Sequence, residues 1–157
     1  MATGNDRYRR GVGVMLLNNE GKVFVGARID NPADAWQMPQ GGIDEGEESW
    51  PAALRELEEE TGVAPGLVEK IAECPERLRY DLPEEWRPRL WGGKWLGQEQ
   101  DWFLVRFLGE DGDFNIATEH PEFRMWKWVE PGQLPDVIVP FKRELYQRLL
   151  SEFADYL

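Results

Sequence analysis

Residues 41–63 read GGIDEGEESWPAALRELEEETGV, and the spacing inside this stretch decides how the chain is organised around it. Glu56, Glu59 and Glu60 stand three and four positions apart, so on an α-helix they project from one side, within an arc of about 100°. Leu57, Leu54 and Ala53 fill the adjoining stripe, by which such a helix packs. Carboxylates stacked at these spacings repel by roughly 0.2–0.5 kcal/mol per exposed pair. A cluster of hard oxygen donors calls for a cation, and Mg²⁺ or Mn²⁺ suits it. Glu58 points away toward solvent. Arg55, four residues before Glu59, is placed to hold that carboxylate in one orientation. Ser49 is the expected N-cap, Pro51 fits the first turn, and Gly62 can close the helix in the left-handed conformation. Upstream, Gly41, Gly42 and Gly46 let the backbone turn tightly and bring its polar groups near an ion or phosphate.

The bulk properties set limits. With 157 residues, 41% hydrophobic and 31% charged, the chain reads as a single domain spanning residues 1–157. No apolar run long enough to span a membrane appears, and MATGNDRYRRG lacks a signal-peptide core. The single cysteine, Cys74, permits no internal disulfide and reads as a strand residue, so a cytoplasmic setting is expected. A net charge of −12 argues against duplex DNA as a partner. A polyphosphate would need accompanying cations or a local basic patch, for which Arg7, Arg9, Arg10, Arg28, Arg87, Arg89 and Lys94 are candidates. Of the eight tryptophans, Trp86, Trp91 and Trp95 fall in a loop-like stretch suited to a binding surface.

Gly11–Leu17 and Lys22–Ile29 are apolar, β-branched runs around an Asn18-Asn19-Glu20-Gly21 turn, which predicts a hairpin. Asp30–Ala35 reads as loop and Trp36–Met38 as a short strand. Leu67–Pro75, Trp102–Leu108 and Met125–Val129 read as strands, and Tyr80–Gln100 as a polar, aromatic substrate loop. A second helix is expected from Pro140 or Phe141 to Ala154, with Phe141, Leu145, Leu149 or Leu150 and Phe153 on its apolar side. Strands before, between and after two helices indicate an α/β fold with a mixed sheet covered by helices (α+β in its strand order).

The ordered set Gly41, Glu47, Arg55-Glu56-Leu57, Glu59-Glu60, Gly62-Val63 resembles the signature of the Nudix hydrolases at every fixed position. The resemblance implies an α-β-α sandwich and cation-dependent hydrolysis of a nucleoside-linked diphosphate. It also implies in-line attack by an activated water, with Glu56, Glu59 and Glu60 holding Mg²⁺ (or Mn²⁺), together with a backbone carbonyl at Gly41. A glutamate from a distant loop lies near the metals in this family. Glu122 is the candidate here for a further ligand or general base, with Glu119 competing and His120 beside both.

The second half narrows the branch. Tyr80-Asp81-Leu82-Pro83, the run from Trp91 through Gly97-Gln98-Glu99-Gln100-Asp101-Trp102, and Phe141-Lys142-Arg143 are similar to the asymmetrical diadenosine tetraphosphate hydrolases and the related RNA pyrophosphohydrolases. That resemblance implies a nucleobase held between Tyr80 and Phe141, worth roughly 1–3 kcal/mol of stacking. Arg28 and Lys94 are expected to meet phosphates, and Gln100 to contact substrate. The tryptophan-glycine pattern leans toward dinucleoside polyphosphates, with diadenosine tetraphosphate cleaved to ATP and AMP. The alternative is an RNA 5′ end converted from triphosphate to monophosphate. A non-catalytic nucleotide-binding module is the reading of another class, but no helix carboxylate is missing. An ADP-ribose or nucleotide-sugar hydrolase leaves the Trp91–Trp102 pattern unexplained.

Overall fold

The longest uninterrupted pairing joins two strands about ninety residues apart in sequence. Strand β1 (Tyr8–Leu17) runs parallel to β7 (Gly97–Phe107) in unbroken register from Tyr8 opposite Gly97 to Leu17 opposite Arg106. The computed structural model describes residues 7–31, 35–119 and 121–157. His120, part of the predicted loop before Trp36 and the side chain of Trp91 therefore lie outside the description.

The other edge of β1 is shared. Its middle, Gly11–Gly13, pairs with β4 (Gln40–Gly42) and its end with β2 (Val23–Arg28), both antiparallel. Between them β2 splays away to pair with β3 (Trp36–Gln37) and β8 (Phe123–Val129). The predicted hairpin forms, but only Leu17 and Val23 face each other across it. Asn18 closes the turn, its side chain accepting from the Glu20 and Lys22 amides at 3.0 and 2.9 Å. The outer edge of β7 is divided in the same way between β5 (Val68–Glu73) and β6 (Leu78–Asp81). Among the described residues the sheet thus has eight strands, and the splaying of β2 and β3 away from β1 leaves space for a cleft.

Alternation along the strands gives each face its own core. Val12, Val14, Leu16, Phe103 and Val105 face helix α1 (Ser49–Thr61), which meets them with Ala52, Ala53 and Leu57. Met15, Leu17, Trp102 and Leu104 face the short α2 (Leu134–Val137) and α3 (Arg143–Glu152), which supply Leu134, Leu145, Tyr146 and Leu149. The predicted α-β-α layering is therefore present.

Three boundaries differ from the sequence reading. The expected loop Tyr80–Gln100 contains the end of β6 and the first residues of β7, so only its middle is irregular. Helix α3 begins at Arg143, and Phe141 sits in a preceding 3₁₀ turn. Ser49 does not cap α1: Glu48 holds the N-cap position without a side-chain bond, while the Ser49 hydroxyl bonds to Asp101 of β7. A helix start pinned to the sheet by a side chain does not need its own cap for anchorage. At the other end Gly62 has φ +76° and its amide donates to the Glu58 carbonyl at 2.8 Å, the left-handed closure that glycine permits. Cys74 is buried, and burial pushes its thiol up, as expected of a structural cysteine.

Candidate active site

A cleft of about 480 Å³ is lined by β4, the ends of β2 and β3, and Tyr80 and Gln98 of β6 and β7. Helix α1 and β4 form one end, through Glu56, Glu60, Gln40 and Gly41. Tyr80, Trp86 and Arg89 line the far end with Phe141 and Lys142, and Arg28 and Glu122 stand at the side.

Glycine is required at 41. A Cβ there would fall 2.0 Å from the Glu56 carboxyl carbon, so only a bare backbone allows β4 to lie against the helix. Arg55 locks this junction. It makes a fork to Glu47 with two bonds of 2.8 Å, donates to the Gly42 carbonyl at 3.0 Å, and reaches Glu56 at 2.9 Å and Glu59 at 3.1 Å. The Arg55 guanidinium, with help from the Asp44 amide, holds the Glu47 carboxyl down at about 2.

The three helix glutamates part company. Glu60 is 2% exposed and accepts from the Gln40 amide at 3.1 Å. Burial, with Glu56 and Glu122 nearby, drives its carboxyl well above the usual range. Burial likewise pushes Glu56 up to about 7, Arg55 opposing and Glu59 and Glu122 adding to the rise. Glu59 has a side chain 52% exposed, bonds to Arg55 and does not line the cleft. Of the expected set Glu56, Glu59 and Glu60, the structure brings Glu56 and Glu60 into the cleft, with Glu122 contributing to the same field, and leaves Glu59 beside it on the helix. Among the described residues no three carboxylate, imidazole or thiol side chains are closed up as a metal site. Buried carboxylates whose partners, Arg55 for Glu56 and the Gln40 amide for Glu60, do not offset the cost of burial lie beside the backbone of Gly41, an all-oxygen donor set that fits a hard divalent cation. Arg55 holds Glu59 one turn away, at the margin of that set.

Of the two loop glutamates, Glu122 lines the cleft and pairs with Arg28 at 3.2 Å, whereas Glu119 is exposed and outside it. Arg28 also makes a two-bond fork to Asp30, both at 2.8 Å.

Two expected contacts are misplaced. Lys94 lies over the Trp95 ring at 5.2 Å, away from the cleft. Gln100 is wholly buried behind the cleft wall, and the wall itself carries Gln98. The two alternate with Glu99 along β7 and so share a face, which reading the segment as loop concealed. Tyr80 and Phe141 do lie side by side, with ring centroids 6.0 Å apart at 45°. A flat base between parallel rings needs two contact distances, about 7 Å in all, so these rings as they stand touch each other and leave no slot. Phe141 also meets Trp86 edge-on at 5.1 Å.

The sequence reading gave no role to Lys142, which fell within the expected second helix. Its ammonium is buried, 4.8 Å from the Tyr80 ring centre and 5.9 Å from that of Phe141, and burial lowers it to about 7. With Arg9, Arg28 and Arg89 it sets basic groups into a cleft whose lining also carries Asp30, Glu56, Glu60 and Glu122. The position of Lys142 in the Phe141-Lys142-Arg143 run was its only sequence signal.

The NUDIX domain model matches residues 7–149. An RNA pyrophosphohydrolase of Sphingopyxis alaskensis is 57% identical over 147 residues, covering 94% of this chain and 93% of the relative. One from Novosphingobium aromaticivorans is 59% identical over 152 residues, covering 96% and 94%. Among solved structures, an Ap4A hydrolase of C. elegans in a binary complex superposes with TM-score 0.66 at 20% identity, covering 94% of this chain and 98% of that one. The dihydroneopterin triphosphate pyrophosphohydrolase of E. coli gives TM-score 0.71 at 21% identity, covering 90% and 95%. These last two share the fold. With its signature helix, its carboxylate-lined cleft and these matches, the chain belongs to the Nudix family and is a pyrophosphohydrolase of that family.

Proposed function

We propose that the protein acts on RNA, converting a 5′-triphosphate end to a 5′-monophosphate. The observation that carries this reading is the near full-length similarity, at 57–59% identity, to proteins named RNA pyrophosphohydrolase. It reverses the order of preference drawn from the tryptophan-glycine pattern, which placed dinucleoside polyphosphates first.

The proposed roles follow from the cleft. Glu56 and Glu60, joined by Glu59 and the Gly41 backbone, hold Mg²⁺, for which Mn²⁺ can substitute. When bound, such ions neutralise phosphate charge and lower the pKa of water. Arg55 keeps Glu56 and Glu59 oriented against their mutual repulsion. Glu122, held by Arg28 at the cleft side, takes the proton of the attacking water. Arg9, Arg28, Arg89 and Lys142 bind phosphate oxygens. Phe141 and Trp86 offer ring faces to a base, and Tyr80 joins them if Phe141 swings away.

The test is a side-by-side measurement of kcat/KM with Mg²⁺ on a triphosphorylated oligonucleotide and on diadenosine tetraphosphate. The higher value is expected on the oligonucleotide, with pyrophosphate or successive phosphates released. A clear preference for the dinucleotide, with ATP and AMP as products, would overturn the proposal and restore the other reading.

A further inference from the structure

Behind the cleft wall runs a chain of buried amides that the roles above do not use. The Trp102 indole nitrogen donates to Gln100 Oε1 at 2.8 Å. Gln100 Nε2 donates to Gln98 Oε1 at 2.6 Å and to Gln40 Oε1 at 3.1 Å. Gln40 Nε2 reaches the Tyr80 hydroxyl at 3.4 Å, and that hydroxyl lies 3.5 Å from Gln98 Oε1. Trp102 and Gln100 are wholly buried, and Gln98 is 1% exposed.

Direction along this chain is not free. An indole N–H can only donate, so it fixes which end of the Gln100 amide is oxygen. The Gln100 nitrogen, which also can only donate, then fixes Gln98 and Gln40 with their oxygens turned inward. Among the described residues nothing accepts from Gln98 Nε2. Gln98 lines the cleft, and its register partner on β1 is Arg9, another lining residue. One wall of the cleft therefore pairs an amide donor with a cation, a combination suited to phosphate oxygens.

We infer that Gln98 is a phosphate-binding residue, and that Trp102 and Gln100 are positioning residues that keep its NH₂ group, rather than its oxygen, turned toward the substrate. This rests on the cleft's binding a polyphosphate, the reading proposed above. With the opposite amide orientation, Gln98 would present an oxygen lone pair to an anion, so the buried indole sets the sign of the interaction from outside the cleft.

The experiment is a double-mutant cycle. Gln100→Glu at alkaline pH gives a carboxylate that still accepts from Trp102 but can no longer donate, so Gln98 rotates to donate inward. Gln98→Leu removes the responding group. Trp102→Phe, which deletes the indole donor but keeps a ring, provides a second route should Gln100→Glu fold poorly. Two quantities are read in wild type, both singles and the double: affinity for inorganic tripolyphosphate by calorimetry, and KM and kcat on a triphosphorylated oligonucleotide.

Gln98→Leu and Gln100→Glu should each weaken tripolyphosphate binding and raise KM roughly tenfold, while kcat changes less and the double variant resembles Gln98→Leu alone. Lowering the pH should restore Gln100→Glu toward wild type, because a protonated carboxyl can again donate to Gln98. Additive losses, equal effects of Gln100→Glu or Trp102→Phe with and without Gln98, or no pH rescue would overturn the relay. The calorimetric cycle decides this even if wild type fails to cleave RNA, an outcome that counts against the proposed function instead.

Discussion

Glu59 and Glu60 are the same residue type, adjacent on one helix, and the fold treats them in opposite ways. Glu60 is sealed under β4 and its proton is held tightly by burial. Glu59 stands half in water, tethered to Arg55. Glu56 lies between them in character, in the cleft yet still touched by the same arginine. Helical spacing sets which carboxylates share a side, and the approach of β4 at Gly41 sets which of them loses water. Charge that is costly to bury without a partner is the chemical preparation for a cation.

The comparison can be broken most forcefully at its buried member. Glu60→Gln should lower kcat/KM by roughly a thousandfold, the rate equivalent of losing several kcal/mol of charge stabilisation. The same change should leave the thermal midpoint of the cation-free protein unchanged or raised, since a buried, strained carboxylate is replaced by a neutral amide. Steady-state kinetics and a melt on one preparation check both. Arg55→Ala comes next, with about a hundredfold loss of activity together with lowered stability, because it frees Glu47, Glu56 and Glu59 at once. Glu59→Gln should cost only about tenfold to a hundredfold, and a loss equal to that of Glu60→Gln would show that Arg55 does not set it apart. Phe141→Ala is the mildest change, raising KM about tenfold on the oligonucleotide with kcat nearly kept.

The same contrast has a pH signature of two signs. Glu56 is raised from 4.5 to about 7, so its contribution is complete below the unfolded value and is lost as pH climbs through about 7. Glu47 is lowered from 4.5 to about 2, so its contribution is present above 4.5 and is lost as pH falls toward about 2. The melting temperature of the cation-free protein should fall on both sides of a mildly acidic optimum, and saturating Mg²⁺ should cancel the loss on the neutral side alone.

Helix α1 was legible because its determinants are local: apolar spacing, a glycine stop and charges at fixed intervals. The long parallel partner of β1 was not, since the strand it follows for its whole length begins at Gly97, far along the chain. Gly97–Gln100 reads as loop because its glutamines are polar. Gln98 and Gln100 stand in a strand and are joined there by a hydrogen bond inside the wall. Lys142 was missed for a related reason: a lysine is expected at the surface, and only the packing of Tyr80 and Phe141 around it reveals its burial. Choosing Glu122 over Glu119 required seeing which of the two reaches Arg28.

The most direct test of carboxylates held short of ionisation until a cation arrives is proton release. Titrating Mg²⁺ into the protein near pH 7 by calorimetry, in buffers of differing ionisation enthalpy, should give heats that depend on the buffer and report protons leaving Glu56 and Glu60. The dependence should shrink in Glu60→Gln. Binding heats identical in every buffer, in wild type and variant alike, would contradict the account.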